Sequence, residues 1–254
     1  MPSFPLGKII KTLPAIAPFI CLTGIVLLQS QEYKRSAQEL SYDNYVKQEQ
    51  QQARTLAVQT TSPHLGFDNL VADWSYLNFV QYFGDRQARE TIGYRLVPEY
   101  FTAIANIDPR FSQAHLRLSI ANSMYAGNAE TTIALMEEVL ASVNPESEDV
   151  ALLWTSKGLD ELLFLGNKQA AIDSYKMAAR WSSLTASERP DGLTIKDLET
   201  ALESVSEIDL KEVQVRAWSS VLVHIKDNQR KQEIIKKIDD LQREIVTLKK
   251  SSKI

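Results

Sequence analysis

The side chains best able to do chemistry in this chain are three histidines, one cysteine and, among several pairs of neighbouring acids, two. His64, His115 and His224 lie far apart, and none has a second ligand type at a helical offset that would complete a metal-binding pair. The acids fall at Glu137-Glu138 and Asp160-Glu161. Adjacent residues on a helix point about 100° apart, so neither pair can flank one substrate, and both read as solvated helix faces. Cys21 lies in a hydrophobic run, which leaves the rest of the chain without a disulfide, and Phe19 and Ile20 stand where a lipoprotein cysteine needs small residues. No Gly-rich phosphate loop, H-E-x-x-H, C-x-x-C or G-x-S-x-G occurs. The reading from these residues is a protein that is not an enzyme and holds no cofactor or metal. An extracytoplasmic enzyme is kept only as a third alternative, because a fold can carry a site without a motif.

Composition moves the question from chemistry to binding. Of the 254 residues 44% are hydrophobic and 24% charged, the balance of a chain that folds, and only nine Gly and nine Pro interrupt it, which favours helix. The net charge of −4 gives no electrostatic basis for a nucleic-acid partner. It is unevenly placed. From Lys226 onward nine lysines and arginines face five acids, so the tail is net +4 and the remainder −8.

Residues 9–28 read IIKTLPAIAPFICLTGIVLL, with Lys11 the one charge. A helix of twenty residues spans roughly 30 Å, the thickness of a bilayer core, so this segment is expected to be a single-pass transmembrane anchor that tolerates Pro14 and Pro18. Two alternatives stay open, a cleaved signal peptide with Lys8 and Lys11 as its charged region, and a buried soluble helix. The exit LLQSQEYKRS offers no A-x-A-like cleavage site. Lys8 and Lys11 on one flank are matched by Lys34 and Arg35 on the other. The short N-terminal flank tips the reading toward a domain outside the cytoplasm or in a lumen.

The chain therefore divides into a flank and anchor (1–30), a polar helical stalk (31–62) around QEQQQAR, a region of helical repeats (63–190) and a C-terminal pair of helices (191–254). Within 63–190 an aromatic residue, any residue, Gly, and Asp or Asn recur at Tyr82–Asp85, Tyr125–Asn128 and Phe164–Asn167. Each is expected to end a helix, with Gly84, Gly127 and Gly166 supplying the left-handed cap. After the second and third, Ile133, Met136 and Val139 match Ile172, Tyr175 and Ala178, one face of a second helix. Asp108-Pro109, Asn144-Pro145 and Arg189-Pro190 close the units. Helix, Gly turn, helix, Pro turn is written three times.

Here the chain resembles the tetratricopeptide-repeat family. Gly166, Ala171, Tyr175 and Ala178 follow that family's spacing, and Trp154 with Gly158 echoes its first-helix Trp and Gly. One extra residue separates Gly158 from Ala171. The middle unit has His115, Leu118 and Ser119 where Trp, Leu and Gly are usual, and the first has Trp74 and Leu77 but a long insertion before its second helix. The stretch GFDNLVADWSYLNFVQYFGD also resembles a group of membrane-anchored bacterial proteins such as those of cyanobacteria. The resemblance implies an all-α solenoid, a stack of helix pairs with a concave binding face.

Partner-binding residues are expected on the first helix of each pair. Leu70, Trp74 and Leu77 share one face and are expected to pack inward, leaving Tyr76, Phe79 and Phe83 as an exposed stripe, unless the helix is buried on both sides. In the second unit the equivalent face presents Arg117, Ile120 and Met124. Near the C-terminus Ile234, Ile238, Leu241, Ile245 and Leu248 form a short heptad seam, either a cap on the repeats or a surface for self-association or a partner helix. The sequence thus reads as a membrane-anchored scaffold or adaptor for protein partners. The alternative is a structural membrane protein that oligomerises through its heptads, with the repeats as a spacer. If residues 9–28 are an anchor, N-terminal sequencing of the protein from its native membrane should return a chain that still contains them, whereas a mature start near Gln31 would mean a signal peptide.

Overall fold

The computed structural model of the chain describes residues 22–27, 29–30, 41–143, 149–184 and 195–251. Among them every regular element is helical. They fall into two units, divided between Ser41 and Tyr42. In the first, residues 22–27 and 29–30 are helical. Most of the expected anchor lies outside the described residues, and among those described no helix is long and apolar enough to cross a membrane.

The second unit runs through α1 (Tyr42–Thr61), α2 (Asp68–Gly84), α3 (Arg86–Ile92), α4 (Val97–Ile107), α5 (Ser112–Ile120), α6 (Ala129–Ser142), α7 (Asp149–Leu163), α8 (Lys168–Leu184), α9 (Ile195–Ser204), α10 (Glu207–Leu222) and α11 (Asn228–Ser251). A π-helical turn, Ala121–Tyr125, prolongs α5. The starts are set by local chemistry. Asp85 accepts from the Ala88 amide at 3.1 Å to open α3, Ser206 accepts from Asp209 at 3.1 Å to open α10, and Pro98 sits in the first turn of α4. Asp108-Pro109 ends α4 as expected, while Asn144-Pro145 and Arg189-Pro190 lie outside the described residues.

Helix α4 is buried along most of its length and receives α2, α5 and α6; α7 lies against both α5 and α6 and pairs closely with α8. Three polar contacts show how α5 and α7 meet. Ser112 donates to Asp149 at 3.1 Å, Ser119 and Ser156 share a hydrogen bond at 3.2 Å, and Ser123 donates to Asp160 at 2.5 Å, each pair 37 residues apart. A constant offset means that the two helices run parallel and in register. Between α7 and α8, Gly158 permits the close approach: a Cβ there would lie 3.1 Å from Ser174 and the Tyr175 ring and 3.2 Å from the Ala171 carbonyl. Ala171, Ile172 and Ala178 are buried, as are Ile133, Met136 and Val139 on α6.

Two expectations are corrected. The first concerns Gly84, which is the last residue of α2 and has no positive φ; the left-handed glycines that end helices are Gly93, Gly127 and Gly166 (φ 76°, 72° and 65°). Asp85 starts α3 at once, so the chain needs no reversal at Gly84, and the insertion in the first unit is itself a helix. The second concerns the polar stalk. Its described part, α1, packs on α3 and α4 and buries Tyr45, Glu49 and Leu56. Glu49 accepts from the Tyr82 hydroxyl at 2.8 Å and from Arg89 at 3.3 Å through one oxygen, and from Arg95 at 2.8 Å through the other. A buried acid with three donors ties the helix down, and an isolated Glu in a polar sequence gives no sign of it.

The heptad seam follows the first of its two expected readings and packs against the rest of the chain. Ile234 and Ile245 are buried, and Ile238 and Leu241 half-buried, within a cluster that holds Trp218, Val221 and Ile225, so the seam closes a hairpin with α10 inside the chain. That hairpin lies over the glycine turns. A Cβ on Gly93 would meet Lys226 at 3.1 Å, one on Gly127 would meet Ile225 and Val221 at 3.1 Å, and one on Gly166 would meet Gln214 at 2.7 Å. Gln214 and Trp218 both donate to the Phe164 carbonyl at 3.3 Å, and Arg230 Nε donates to the Gly127 carbonyl at 3.1 Å. Gly127→Val is therefore expected to destabilise the fold by at least about 2 kcal/mol, from left-handed strain together with overpacking. Gly84→Ala, with helical φ and open space around it, should leave stability unchanged or raise it by up to about 1 kcal/mol. Urea unfolding followed by circular dichroism measures both.

Candidate functional site

Helix α2 is apolar on two faces, and the structure decides which one is buried. Phe79 is 4% exposed and Tyr82 1%, while Tyr76 and Phe83 are half-buried. Their rings stack inward. Phe79 lies 5.8 Å from Tyr100, Tyr76 lies 5.4 Å from Phe111, and Phe83 lies 5.0 Å from both Tyr94 and Tyr125. Tyr82 anchors this face: its hydroxyl donates to Glu49 and accepts from the Leu96 amide at 3.0 Å, and the Arg89 guanidinium lies 3.6 Å from its ring centroid. The expected exposed stripe of Tyr76, Phe79 and Phe83 is thus part of the core. The reason is that α4 and Glu49 offer partners to these rings that a local pattern cannot show.

The face expected to be buried is the open one. Trp74 is 58% and Leu77 53% exposed, and Phe67, Leu70 and Val80 are exposed as well. Phe67, Leu70, Trp74 and Leu77 follow one another at three, four and three residues, a continuous stripe along the helix and the residue before it. Asp68 and Asp73 are the charged residues on this helix, and His64 bonds Asp68 at 2.8 Å. At its N-terminal end the stripe borders an open cleft of about 870 Å³ lined by Phe67, Asp68, Leu70, Asp108, Pro109 and Arg110. Large apolar side chains grouped this way on a folded chain mark an interaction surface more often than chance exposure.

The other predicted binding residues do not join this face. Arg117 and Ile120 are exposed on α5, whereas Met124, in the π turn, packs against the cluster of Phe164 and Trp218. Trp154 is half-buried against the main core, with the Lys157 ammonium 5.5 Å from its ring.

The acids on α7 are a further correction, because Asp160 and Glu161 are buried rather than solvated. Lys157 donates to Glu161 at 2.5 Å, Ser174 donates to the other Glu161 oxygen at 2.6 Å, and Glu137, itself largely exposed, reaches Lys157 at 3.4 Å. These bonds join α6, α7 and α8. Burial pushes the Asp160 carboxyl up to about 7, against the Ser123 hydrogen bond that lowers it, with the Glu161 charge raising it further. His115 is also fully buried; its Nε2 meets the Asp108 carbonyl at 2.9 Å, and burial holds it below the ordinary histidine value. The sequence signal for this cluster was available, since Lys157 and Glu161 stand four apart, but helix spacing alone does not distinguish a buried pair from a surface one.

With this geometry in hand, comparison with protein-family models, curated proteins and solved structures gives no match.

Asp160 sets a pH dependence. Its folded value lies above its unfolded one, so its contribution to stability is fully present below about pH 4 and is lost as pH rises toward 7. Between pH 5 and pH 8 this group alone should cost about 2 kcal/mol. The difference in unfolding free energy between the native chain and Asp160→Asn, measured in urea at both pH values, should shift by that amount in favour of Asn at pH 8.

Proposed function

We propose that this chain is a scaffold or adaptor, tethered to a membrane through residues 9–28, that captures a helix of a protein partner on the outer face of α2. One observation carries the reading: Phe67, Leu70, Trp74 and Leu77 form an exposed apolar stripe at helix-packing spacing, beside an open cleft. A stripe with a three-four-three period fits the apolar seam of a second helix, as in helix-in-groove recognition. The charge around it favours a partner helix with Lys or Arg flanking its seam, because Asp68 and Asp73 border the stripe. The same acids disfavour an anionic lipid surface as the occupant.

The tetratricopeptide-like reading draws support from contacts among the residues that suggested it. Gly158 faces Ala171 and Tyr175 across the α7–α8 pair, and α5 and α7 stack in parallel register. The rival reading, in which the C-terminal heptads oligomerise the protein and the repeats serve as a spacer, has less to draw on, because Ile234 and Ile245 are used within the chain.

The test uses the full-length protein in detergent with a photo-crosslinking residue at Val80. The native chain should crosslink one protein through α2, and Leu70→Ser with Trp74→Ser should abolish both the crosslink and co-purification while stability stays within about 1 kcal/mol, as expected of exposed positions. Phe79→Ala should instead cost about 3–5 kcal/mol as a core truncation. Unchanged partner binding by the folded double variant would overturn the assignment of this face and favour the spacer reading.

A further inference from the structure

The turn that leads into α2 is held by one histidine. Between α1 and α2 the chain passes through Leu65 (φ 52°) and Gly66 (φ 89°), both left-handed, and Leu65 is 87% exposed, so no burial offsets a backbone that a leucine resists. The half-buried ring of His64 bridges this turn. Its Nδ1 lies 2.8 Å from Asp68 Oδ1, in the first turn of α2, and its Nε2 lies 2.6 Å from the Gln59 carbonyl, in the last turn of α1. That carbonyl lacks its helical donor, because the residue four places on is Pro63, which has no N–H. Within the turn the Phe67 amide donates to the His64 carbonyl at 2.8 Å.

Both ring nitrogens therefore face acceptors. A neutral imidazole carries one N–H, so it satisfies one of the two oxygens and turns a lone pair on the other, whereas the imidazolium donates to both. The surroundings favour the charged form. The Gln59 carbonyl and then the Asp68 carboxylate raise the His64 pKa above the ordinary histidine value, against a smaller opposing effect of burial. The carbonyl end of α1 adds the attraction of a helix C-terminus for a cation. Among the described residues Asp68 is the charged group bonded to the ring. Residues 56–61 of α1 carry no charge, Asp73 lies more than a turn further along α2, and Asp108 and Arg110, which line the same cleft as Asp68, lie 4.0 Å from each other.

We propose that His64 is a proton-operated clasp on the α2 face: with both nitrogens protonated it fixes the turn and sets Phe67 at the head of the apolar stripe, and loss of one proton releases the turn. The release is confined to residues 62–67, because Ser75 still donates to the Gln59 side chain at 3.3 Å and keeps the two helices together. The folded-state value lies above the unfolded one, so the clasp is closed at lower pH and opens as pH rises through the raised value. Deprotonation also leaves Asp68 free to attract a basic partner, but one exposed, screened charge weighs less than reordering several backbone residues on binding. On the reading of α2 as the docking face, on which this consequence rests, a partner is held more tightly below the transition than above it.

Two measurements on the full-length protein in detergent need no partner. The His64 ring, identified by proton NMR as the imidazole signal absent from His64→Gln, should titrate above the ordinary histidine value, and Asp68→Asn should lower its midpoint. Amide exchange at Phe67, corrected for the intrinsic effect of pH, should quicken by about tenfold as His64 titrates, and His64→Gln, whose donors do not change with pH, should abolish that step. The Val80 crosslink should weaken by about fivefold over the same range in the native chain and stay level in His64→Gln. A His64 midpoint at or below the ordinary value, or a Phe67 amide whose exchange ignores the titration, would overturn the clasp. A crosslink that holds steady while the turn opens would overturn its effect on binding, whereas no crosslink at any pH marks the failure of the docking reading and leaves the first two measurements to decide the clasp.

Discussion

The structure of residues 42–254 depends on three left-handed glycine turns and the hairpin that lies over them. Gly93, Gly127 and Gly166 reverse the chain at the ends of helices, and each presents backbone, without a side chain, to α10, α11 or the loop between them. Because no Cβ intervenes, Gln214 and Trp218 reach the Phe164 carbonyl and Arg230 reaches that of Gly127. The exposed carbonyls at helix ends are thereby satisfied by side chains from 50 to 103 residues further along. The same arrangement uses the hydrophobic seam of α11 within the chain.

Buried charge fixes the rest. Glu49 gathers the Tyr82 hydroxyl and two guanidinium groups, and Lys157 and Glu161 join α6, α7 and α8 through Ser174 and Glu137. Such groups add little net stability over apolar residues of the same shape, yet removing one partner leaves an uncompensated charge, so the packings they join are the ones that satisfy all their members. For α1 the consequence is direct: Glu49 holds the helix against the inner side of α2 and leaves the outer side uncovered.

That outer side gives the molecule its most conspicuous surface. An apolar helix face that the fold buries contributes stability and nothing further, whereas Phe67, Leu70, Trp74 and Leu77 remain in water, where each large side chain is unfavourable. A second helix laid along the stripe would remove that area from water, which is the physical ground for reading α2 as the place where a partner binds.

Much of this could be read from local pattern. The helices, the Gly turns at 127 and 166, the stop at Asp108-Pro109 and the buried faces of α6 and α8 follow from periodicity and from the special backbone of Gly and Pro, which act over a few residues. Gly84 was misplaced because the next residue, Asp85, caps a helix that the pattern had treated as an insertion. The burial of Glu49, Asp160 and Glu161 was hidden because their partners come from other helices, and a carboxylate in an amphipathic sequence looks solvated until those partners arrive. In α2 both faces carry large apolar residues, so spacing placed Tyr76, Phe79 and Phe83 together, and Leu70, Trp74 and Leu77 together, but the set expected inside is the exposed one. By itself the sequence determined that a helix with two apolar faces would form there. Only the tertiary structure decided that Phe79 and Tyr82 go inside, because α4 and Glu49 offer packing and hydrogen-bond partners to that face alone, and burial depends on what lies opposite a residue rather than on its neighbours in the chain.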